Sequence, residues 1–180
     1  LSQHALRAQM GYVPQKAFLF SGTVESNVAY SDGEMDASRV ERALDIAQAS
    51  DFVGEMEEGA SSPISQGGTN VSGGQRQRLA IARALAVPAR AYIFDDSFSA
   101  LDYKTDAALR AELSEKLSGA TVVIVAQRIS TIMHADEIVV LDEGRICGLG
   151  THEQLMDACE EYREIALSQL SEEELKGGDA

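Results

Sequence analysis

The sequence VSGGQRQRLAIARALAVPARAYIFDD, residues 71–96, contains the start of a helix and the end of a buried strand. Ser72 and Gln75 have the spacing of a capping box, in which each side chain pairs with the backbone of the other residue. Apolar residues recur at helical spacing up to residue 85, and Val87 precedes a proline, which biases it out of helical geometry. We therefore predict a helix that begins after Ser72 and ends before Pro88.

The start of this predicted helix is suited to an anion. Gly73 and Gly74 leave backbone N–H groups uncovered by side chains, and the positive end of the helix dipole lies there. Arg76 and Arg78 are expected to add positive charge nearby. Phosphate is the predicted partner, and a capped surface helix whose arginines pair with nearby acids is the alternative on these residues alone.

Three short apolar runs, at residues 91–94, 121–126 and 138–141, predict strands. Between the first two runs, Leu109, Leu113 and Leu117 mark one face of a helix over residues 103–117. A strand, a crossover helix and a second strand form a βαβ unit, whose strands are buried on both faces and read as unbroken apolar runs. The second half of the chain is therefore predicted to be a parallel sheet with helices packed on it, which is an α/β fold.

Two acids, Asp95 and Asp96, follow the first of these runs directly. Ligands collect outside the carboxyl ends of parallel strands, and a carboxylate at that edge is placed to meet Mg²⁺. Adjacent residues on an extended chain point in opposite directions, so the two carboxylates are expected to play different roles.

Local signals predict three further elements. A helix is expected over residues 36–49 with Asp36 as its N-cap. A β-turn is expected at residues 142–145, and another helix after Thr151, which has capping-box spacing to Gln154.

Composition limits the function classes. The 180 residues hold 15 Lys and Arg against 29 Asp and Glu, a net charge of −14, which argues against a nucleic-acid partner. Residues 69–90 contain four arginines and no acid, and are expected to form a local basic surface. Cys147 and Cys159 have no metal-ligand spacing and are expected to be free thiols. No apolar run approaches the roughly 18 residues of a membrane span.

With SFSALD at residues 97–102, the chain resembles the ATP-binding domains of ABC transporters. VSGGQRQR resembles the signature motif, AYIFD the Walker B strand, SALD the D-loop, and GYVPQ at residues 11–15 the Q-loop. FLFSGTVESNVAY at 18–30 and the segment at 127–156 look most like multidrug or peptide exporters of that family.

The resemblance implies a P-loop NTPase core of the RecA type with an ABC-specific helical subdomain. Residues 1–15 would be the remnant of a truncated core that ends in the Q-loop, and residues 16–88 the helical subdomain. Residues 89–168 would complete the core with Walker B, D-loop and switch loop, and residues 169–180 would form an acidic tail.

The resemblance also implies a site shared between two such domains, which meet head to tail and enclose two ATP molecules with Mg²⁺. The signature residues would contact the γ-phosphate of ATP held by the opposite domain: Ser72, Gly73, Gly74 and Gln75. Asp95 would act on Mg²⁺, Gln15 would sense metal and γ-phosphate, and Ser99 and Asp102 would lie at the interface. Residues 18–25, with Phe18 and Glu25 at the ends, would contact the transmembrane domain at the cytoplasmic face of the cell membrane.

The chain departs from the family pattern in three places. It contains no GxxxxGK[ST], so it is expected to begin after the phosphate loop and, by itself, neither to bind ATP tightly nor to hydrolyse it. Asp96 replaces the catalytic Glu and holds its carboxylate back by roughly 1.5 Å. Gln127 replaces the switch histidine and cannot exchange a proton near neutral pH.

Two replacements at one reaction centre match the degenerate subunit of a heterodimeric exporter, as does SQGGTN at residues 65–70. Such a subunit has a weak site of its own and supplies an intact signature motif to its partner. A homodimer of two such chains is the alternative assembly. The alternative is a soluble ABC-type ATPase that acts in regulation or DNA repair. Its DNA-repair form is disfavoured by the net negative charge and the lack of sustained heptads.

Overall fold

The computed structural model describes residues 2–31 and 36–170 of the chain. The chain divides into two units after Val125. Of the predicted tail at 169–180, residues 171–180 lie outside the described residues, as do residues 32–35.

The first unit contains six α-helices, two short 3-10 helices (Gly59–Ser61 and Gln66–Gly68) and five strands among its described residues. The helices are α1 (Gln3–Arg7), α2 (Val24–Val28), α3 (Ala37–Ile46), α4 (Ser50–Gly54), α5 (Gly73–Leu85) and α6 (Tyr103–Lys116). The strands are β1 (Met10–Val13), β2 (Gly22–Thr23), β3 (Pro63–Ile64), β4 (Ala91–Asp95) and β5 (Thr121–Val125).

Three parallel strands form the main sheet, in the order β1, β4, β5. The register places Val13 beside Phe94 and Asp95 beside Val125, so the carboxyl ends of the strands meet at one edge. Helix α6 connects β4 to β5, which confirms the predicted βαβ unit and the α/β fold class. This edge brings together chain segments that are far apart in sequence.

Strand β1 was not predicted as a strand, and its position depends on Gly11. Gly11 pairs with Tyr92 of β4. A Cβ at this position would lie 2.4 Å from the Tyr92 ring and 3.1 Å from the Ala84 carbonyl oxygen of α5. The absence of a side chain therefore allows β1 to approach both β4 and α5.

Strand β5 differs from the expectation that the strands of the βαβ unit are buried on both faces. Val122, Val123 and Val125 are 37%, 46% and 50% exposed. In the part of the chain that the structure describes, β5 pairs only with β4, because the third apolar run joins a separate antiparallel pair. The apolar run predicted the strand correctly, but the prediction that the strand is buried on both faces was wrong.

The helices α2 to α5 pack on one another beside the sheet, and two were predicted. Asp36 caps α3, and its side chain accepts a hydrogen bond from the Ser38 N–H at 3.2 Å. The capping box of α5 is present as predicted. The apolar residues that the helical spacing selected in α3 and α5 are buried: Val40, Ala43, Leu44, Leu79 and Ala82.

A buried polar network joins α5 to residues 18–30. Arg83 donates to the Asn27 carbonyl oxygen at 2.8 Å, to Asn27 Oδ1 at 2.6 Å and to the Phe18 carbonyl oxygen at 2.9 Å. Asn27 is 1% exposed, and its amide also pairs with both backbone groups of Phe20. The guanidinium lies over the rings of Phe20 and Tyr30, and its burial lowers the pKa of Arg83.

The second unit begins with α7 (Ile129–Ile132), followed by β6 (Ile138–Asp142), β7 (Arg145–Gly150), α8 (His152–Ala158) and α9 (Glu160–Gln169). Strands β6 and β7 pair antiparallel through a turn in which Glu143 and Gly144 have φ of 44° and 76°. Two consecutive positive φ values are typical of a two-residue hairpin, which makes an antiparallel neighbour the local outcome. The predicted turn and the Thr151–Gln154 capping box are confirmed.

We expect Gly11→Ala to destabilise the chain by about 1–3 kcal/mol, as overpacking does. The Tyr92 ring cannot move aside freely, because its hydroxyl is held by the Val87 carbonyl oxygen and the Ala89 N–H. Urea unfolding measures the change. Gly119→Ala is the control, since a Cβ there meets nothing within 4 Å. Equal stability of the two variants would contradict the close approach at Gly11.

We expect Arg83→Lys to lower the free energy of unfolding by about 1–3 kcal/mol, because an ammonium cannot reproduce the fork of hydrogen bonds. Arg90→Lys, at an exposed position, is the matched control. Denaturant titration of both variants tests this. A loss at Arg90 equal to that at Arg83 would show that the buried network contributes nothing specific.

Candidate functional site

The two acids after the buried strand lie at the carboxyl edge of the parallel sheet. Asp95 ends β4, and Asp96 follows with a φ of 45°, a left-handed backbone that Asp tolerates better than most residues. The Asp96 N–H donates to the Val125 carbonyl oxygen at 2.9 Å, which fixes this turn against the end of β5. Such backbone conformations are frequent at functional sites.

The two carboxylates have different partners. The Tyr12 hydroxyl donates to Asp95 Oδ2 at 3.2 Å, and Gln15 Nε2 donates to Asp96 Oδ2 at 3.2 Å. Burial of the tyrosine, with a smaller effect of the Asp95 carboxylate, raises the pKa of Tyr12. The structure thus brings together three predicted site residues, Gln15, Asp95 and Asp96. It adds Tyr12, which lies within the GYVPQ motif but was not predicted as a site residue, because its contact with Asp95 depends on the pairing of β1 with β4.

The donor set at this edge fits a hard divalent cation. Two carboxylates and the amide oxygen of Gln15 offer the oxygen ligands that Mg²⁺ prefers, and Mg²⁺ takes few protein ligands because it keeps several waters. All three side chains are at least partly accessible to solvent. Asp95 and Gln15 were the predicted metal ligands, and Asp96 lies within hydrogen-bond distance of Gln15.

The hydroxyl groups of Ser97 and Ser99 connect the segment at residues 97–102 to this edge. Ser97 is fully buried, and its hydroxyl lies 3.2 Å from the carbonyl oxygens of Val13 and Asp95. Ser99 donates to the Asp96 carbonyl oxygen at 3.0 Å. Ser97 was missed as a site residue, and its signal is a small hydroxyl residue directly after the acid pair.

Asp102 has a role within the chain. Its carboxylate caps α6 by accepting from the Thr105 N–H at 3.0 Å and the Thr105 hydroxyl at 2.7 Å. The backbone hydrogen bond, followed by the hydroxyl and with a smaller effect of Arg78, lowers the pKa of Asp102. Its predicted role at an interface with a partner stays a prediction, as does that of Ser99.

The N-terminus of α5 carries the four predicted signature residues. Ser72 Oγ accepts from the Gln75 N–H at 3.2 Å, and Gln75 Oε1 accepts from the Ser72 N–H at 2.9 Å. A Cβ at Gly73 would meet nothing within 4 Å, whereas one at Gly74 would lie 3.4 Å from the Ala100 carbonyl oxygen. The first turn contains no acidic residue, so no side chain of that turn neutralises the positive end of the dipole.

The expected basic surface around this helix is corrected by the structure. Arg76 donates to the carbonyl oxygens of Gly67 and Gly68, at 3.3 and 3.2 Å. Arg78 donates to the Gln48 carbonyl oxygen at 2.5 Å and lies over the Phe52 ring. With Arg83 bound to residues 18 and 27, three of the four arginines hold the backbone of the first unit together.

Gln127 lies in the second unit, just before α7. The Gln169 side chain donates to the Gln127 carbonyl oxygen and accepts from the Ile129 N–H, both at 2.9 Å. The last residue of α9 therefore holds the backbone on both sides of Arg128. No sequence motif indicated this role for Gln169.

Residues 18–25 and their neighbours present aromatic side chains to solvent. Phe18 and Tyr30 are 45% and 58% exposed, and the Phe20 and Tyr30 rings stack at 4.4 Å. Across residues 2–31 and 36–170, no helix has the length and apolar character required to span a membrane.

Comparisons with known proteins identify a family for the chain. The ABC transporter family model matches residues 1–99. An uncharacterized ABC transporter ATP-binding protein of Mycobacterium bovis is 46% identical over 167 residues, a match that covers 91% of this chain and 28% of that protein. An ATP-dependent lipid A-core flippase of Cupriavidus pinatubonensis is 46% identical over 156 residues, covering 85% of this chain and 26% of that protein.

A solved structure shows the same fold. The structure of a bacterial Atm1-family ABC exporter with ATP bound superimposes with a TM-score of 0.91 at 34% identity, covering 96% of this chain and 30% of that one. This likeness confirms the P-loop NTPase type of fold. The chain thus spans 26% to 30% of the length of these three proteins. By its sequence match over residues 1–99 and its shared fold, the chain belongs to the ABC transporter family, as part of the ATP-binding domain.

Proposed function

We propose that the chain is part of the ATP-binding domain of an ABC exporter and couples ATP binding and hydrolysis to substrate export. The observation that carries the proposal is the N-terminus of α5, where a capping box and an open Gly73 lie beside the segment that follows Asp95 and Asp96. The exporter and flippase names of its relatives support transport over a soluble regulatory or repair ATPase. The domain would lie at the cytoplasmic face of the membrane, associated through its transmembrane partner.

The signature residues of this chain serve the ATP of a second, opposed domain. The Gly73 and Gly74 N–H groups at the start of α5 are donors suited to phosphate oxygens. The Gln75 N–H is bound by the Ser72 hydroxyl, and this Ser72–Gln75 pair holds the turn in place. Ser72, Gly73, Gly74 and Gln75 would face the γ-phosphate. Ser99 and Asp102 would lie at the same interface, since Gly74 packs against the segment that contains them.

The chain's own catalytic edge would hold Mg²⁺ through Asp95 and Gln15. When bound, Mg²⁺ neutralises charge on phosphate oxygens. Gln15 positions the Asp96 carboxylate by donating to it. Asp96 would be the general base for the attacking water, and Gln127 would contact the γ-phosphate as a neutral hydrogen-bonding group.

Two replacements, Asp96 in the first unit and Gln127 in the second, support a heterodimer. Asp96 is one methylene shorter than Glu, and a misplacement of about 1 Å at a catalytic group can lower the rate about 100-fold. Gln127 cannot take up a proton near neutral pH. We infer that, in the intact transporter, this subunit's own site retains ATP and turns over slowly, while its signature motif serves an active partner site. The chain contains no GxxxxGK[ST], so by itself it would neither bind ATP tightly nor hydrolyse it.

Residues 18–25 would receive the coupling helices of the transmembrane domain. The exposed Phe18 offers apolar contact area, and Arg83 connects its backbone to α5. The predicted division into a core remnant at 1–15, a helical subdomain at 16–88, a second core part at 89–168 and a tail from 169 assigns this segment to the helical subdomain.

In the intact transporter, we expect Asp96→Glu combined with Gln127→His to raise ATP turnover at this subunit's own site, by up to about 100-fold. The longer carboxylate reaches the water, and the histidine can exchange a proton. The assay measures phosphate release after the general base of the partner's site has been replaced, so that only this subunit's site can hydrolyse ATP. Asp142→Glu, which adds the same methylene at the end of β6, is the control. Unchanged turnover would contradict the degenerate-site proposal.

We expect Gly74→Asp to lower turnover at the partner's site by about 100-fold or more, because it places a carboxylate where donors face the γ-phosphate. Gly119→Asp adds the same charge at a position with no neighbour within 4 Å and should leave turnover unchanged. Phosphate release by the intact pair tests both variants. If the Gly74 variant hydrolysed ATP normally, the signature motif would not act in trans.

A further inference from the structure

The structure brings together the two cysteines that the sequence analysis treated as separate free thiols. Cys147 lies on β7, and Cys159 lies between α8 and α9. Their Sγ atoms and a carboxylate oxygen of Glu161 all lie within 4.8 Å of one another. Sequence spacing could not indicate this cluster, because its members come from a strand and from the junction of two helices.

A β-bulge brings Cys147 into the cluster. Val140 pairs with Gly148 and Leu141 pairs with Ile146, so Cys147 is the extra residue on its strand. A bulge interrupts the regular alternation of side chains and redirects the side chain at that point. The Cys147 thiol lies 3.5 Å from the Val140 carbonyl oxygen.

The absence of a side chain at Gly148 allows Cys159 to pack against β7. A Cβ at position 148 would lie 2.9 Å from Cys159 Sγ and 3.2 Å from Cys159 Cβ, which is closer than such atoms pack. Cys159 is only 3% exposed, whereas Cys147 and Glu161 are exposed. The cluster therefore has one buried ligand atom and is open to solvent on the side of the other two.

The separations and the chemistry suit a thiophilic cation. The Cys159 thiol donates to Glu161 Oε2 at 3.4 Å. Sulfur and oxygen ligands of a tetrahedral Zn²⁺ are separated by roughly 3.5 Å, given bonds of about 2.3 and 2.0 Å. Two sulfur ligands favour Zn²⁺ over Mg²⁺ or Ca²⁺, which prefer oxygen.

We propose that Cys147, Cys159 and Glu161 form a binding site for one Zn²⁺ ion or a similar thiophilic divalent cation, with solvent water as the fourth ligand. Both thiols release their protons to solvent when the ion binds. Formation of a disulfide between Cys147 and Cys159 would compete with metal binding. A disulfide would not involve the Glu161 carboxylate. The site is independent of the proposed ATPase function, since its three ligands are separate from Gln127.

A zinc titration by calorimetry tests the proposal on the intact protein, without nucleotide and with a phosphine reductant. We expect Cys147→Ser to remove one Zn²⁺ equivalent per chain. A change to an outer partner of a metal site lowers metal affinity about 10- to 100-fold, and the loss of a direct ligand should lower it further. Glu161→Gln should weaken binding about 10-fold or more. Glu153→Gln, an equal charge change on exposed α8, should bind as the parent protein does.

Cobalt substitution identifies the ligands directly. The parent protein should show a thiolate-to-Co²⁺ charge-transfer band in the near ultraviolet, and Cys147→Ser should lose most of it. Equal Zn²⁺ affinity in the parent and in Cys147→Ser would overturn the proposal. So would a Co²⁺ complex without the thiolate band, or oxidation of both thiols to a disulfide by peroxide at saturating Zn²⁺.

Discussion

The first unit depends on the partly buried guanidinium of Arg83. Its three hydrogen bonds all end on residues 18 and 27, so the loop before α2 and the helix α5 move as one body or lose those bonds. A helix rises about 1.5 Å per residue, so Arg83 lies about 15 Å along α5 from its capped N-terminus. Contacts made by a membrane domain at residues 18–25 would thereby act on the far end of the same helix.

The carboxyl edge of the main sheet depends on a different constraint, the register of the parallel strands. Because Asp95 stands beside Val125, the turn at Asp96 can donate its N–H to that strand, and its carboxylate then lies within reach of Gln15. The site is thus built from backbone pairing first and side chains second. A shift of one residue in β4 would turn Asp95 to the other face of the sheet.

Elements whose signals are local were predictable from the sequence. The capping boxes at Ser72 and Thr151 place the donor and the acceptor of each cap three residues apart, and the structure contains both. The same holds for α3, for α6 and for the turn before β7, where apolar spacing and turn residues are sufficient. The acid pair was also predicted at the correct edge, because a strand's carboxyl end follows from its direction in the chain.

Features set by long-range approach were not predictable. Strand β1 has four residues and depends on a glycine whose importance is apparent only beside Tyr92. The partners of Arg83 lie 56 and 65 residues away, so the sequence suggested an arginine of a basic surface where the structure has one bound to the backbone of residues 18 and 27. The thiol cluster depends on a bulge in β7, which no residue pattern in the sequence indicates.

The exposed strand β5 has a consequence for the chain in solution. Its sequence TVVIV is β-branched throughout, carries no charge and contains no proline, and three of its valines face solvent. Such a strand is a template for intermolecular β-pairing, which is the first step of aggregation. The net charge of −14 opposes that step by mutual repulsion. Colloidal behaviour of this chain should therefore be sensitive to ionic strength, with salt favouring self-association.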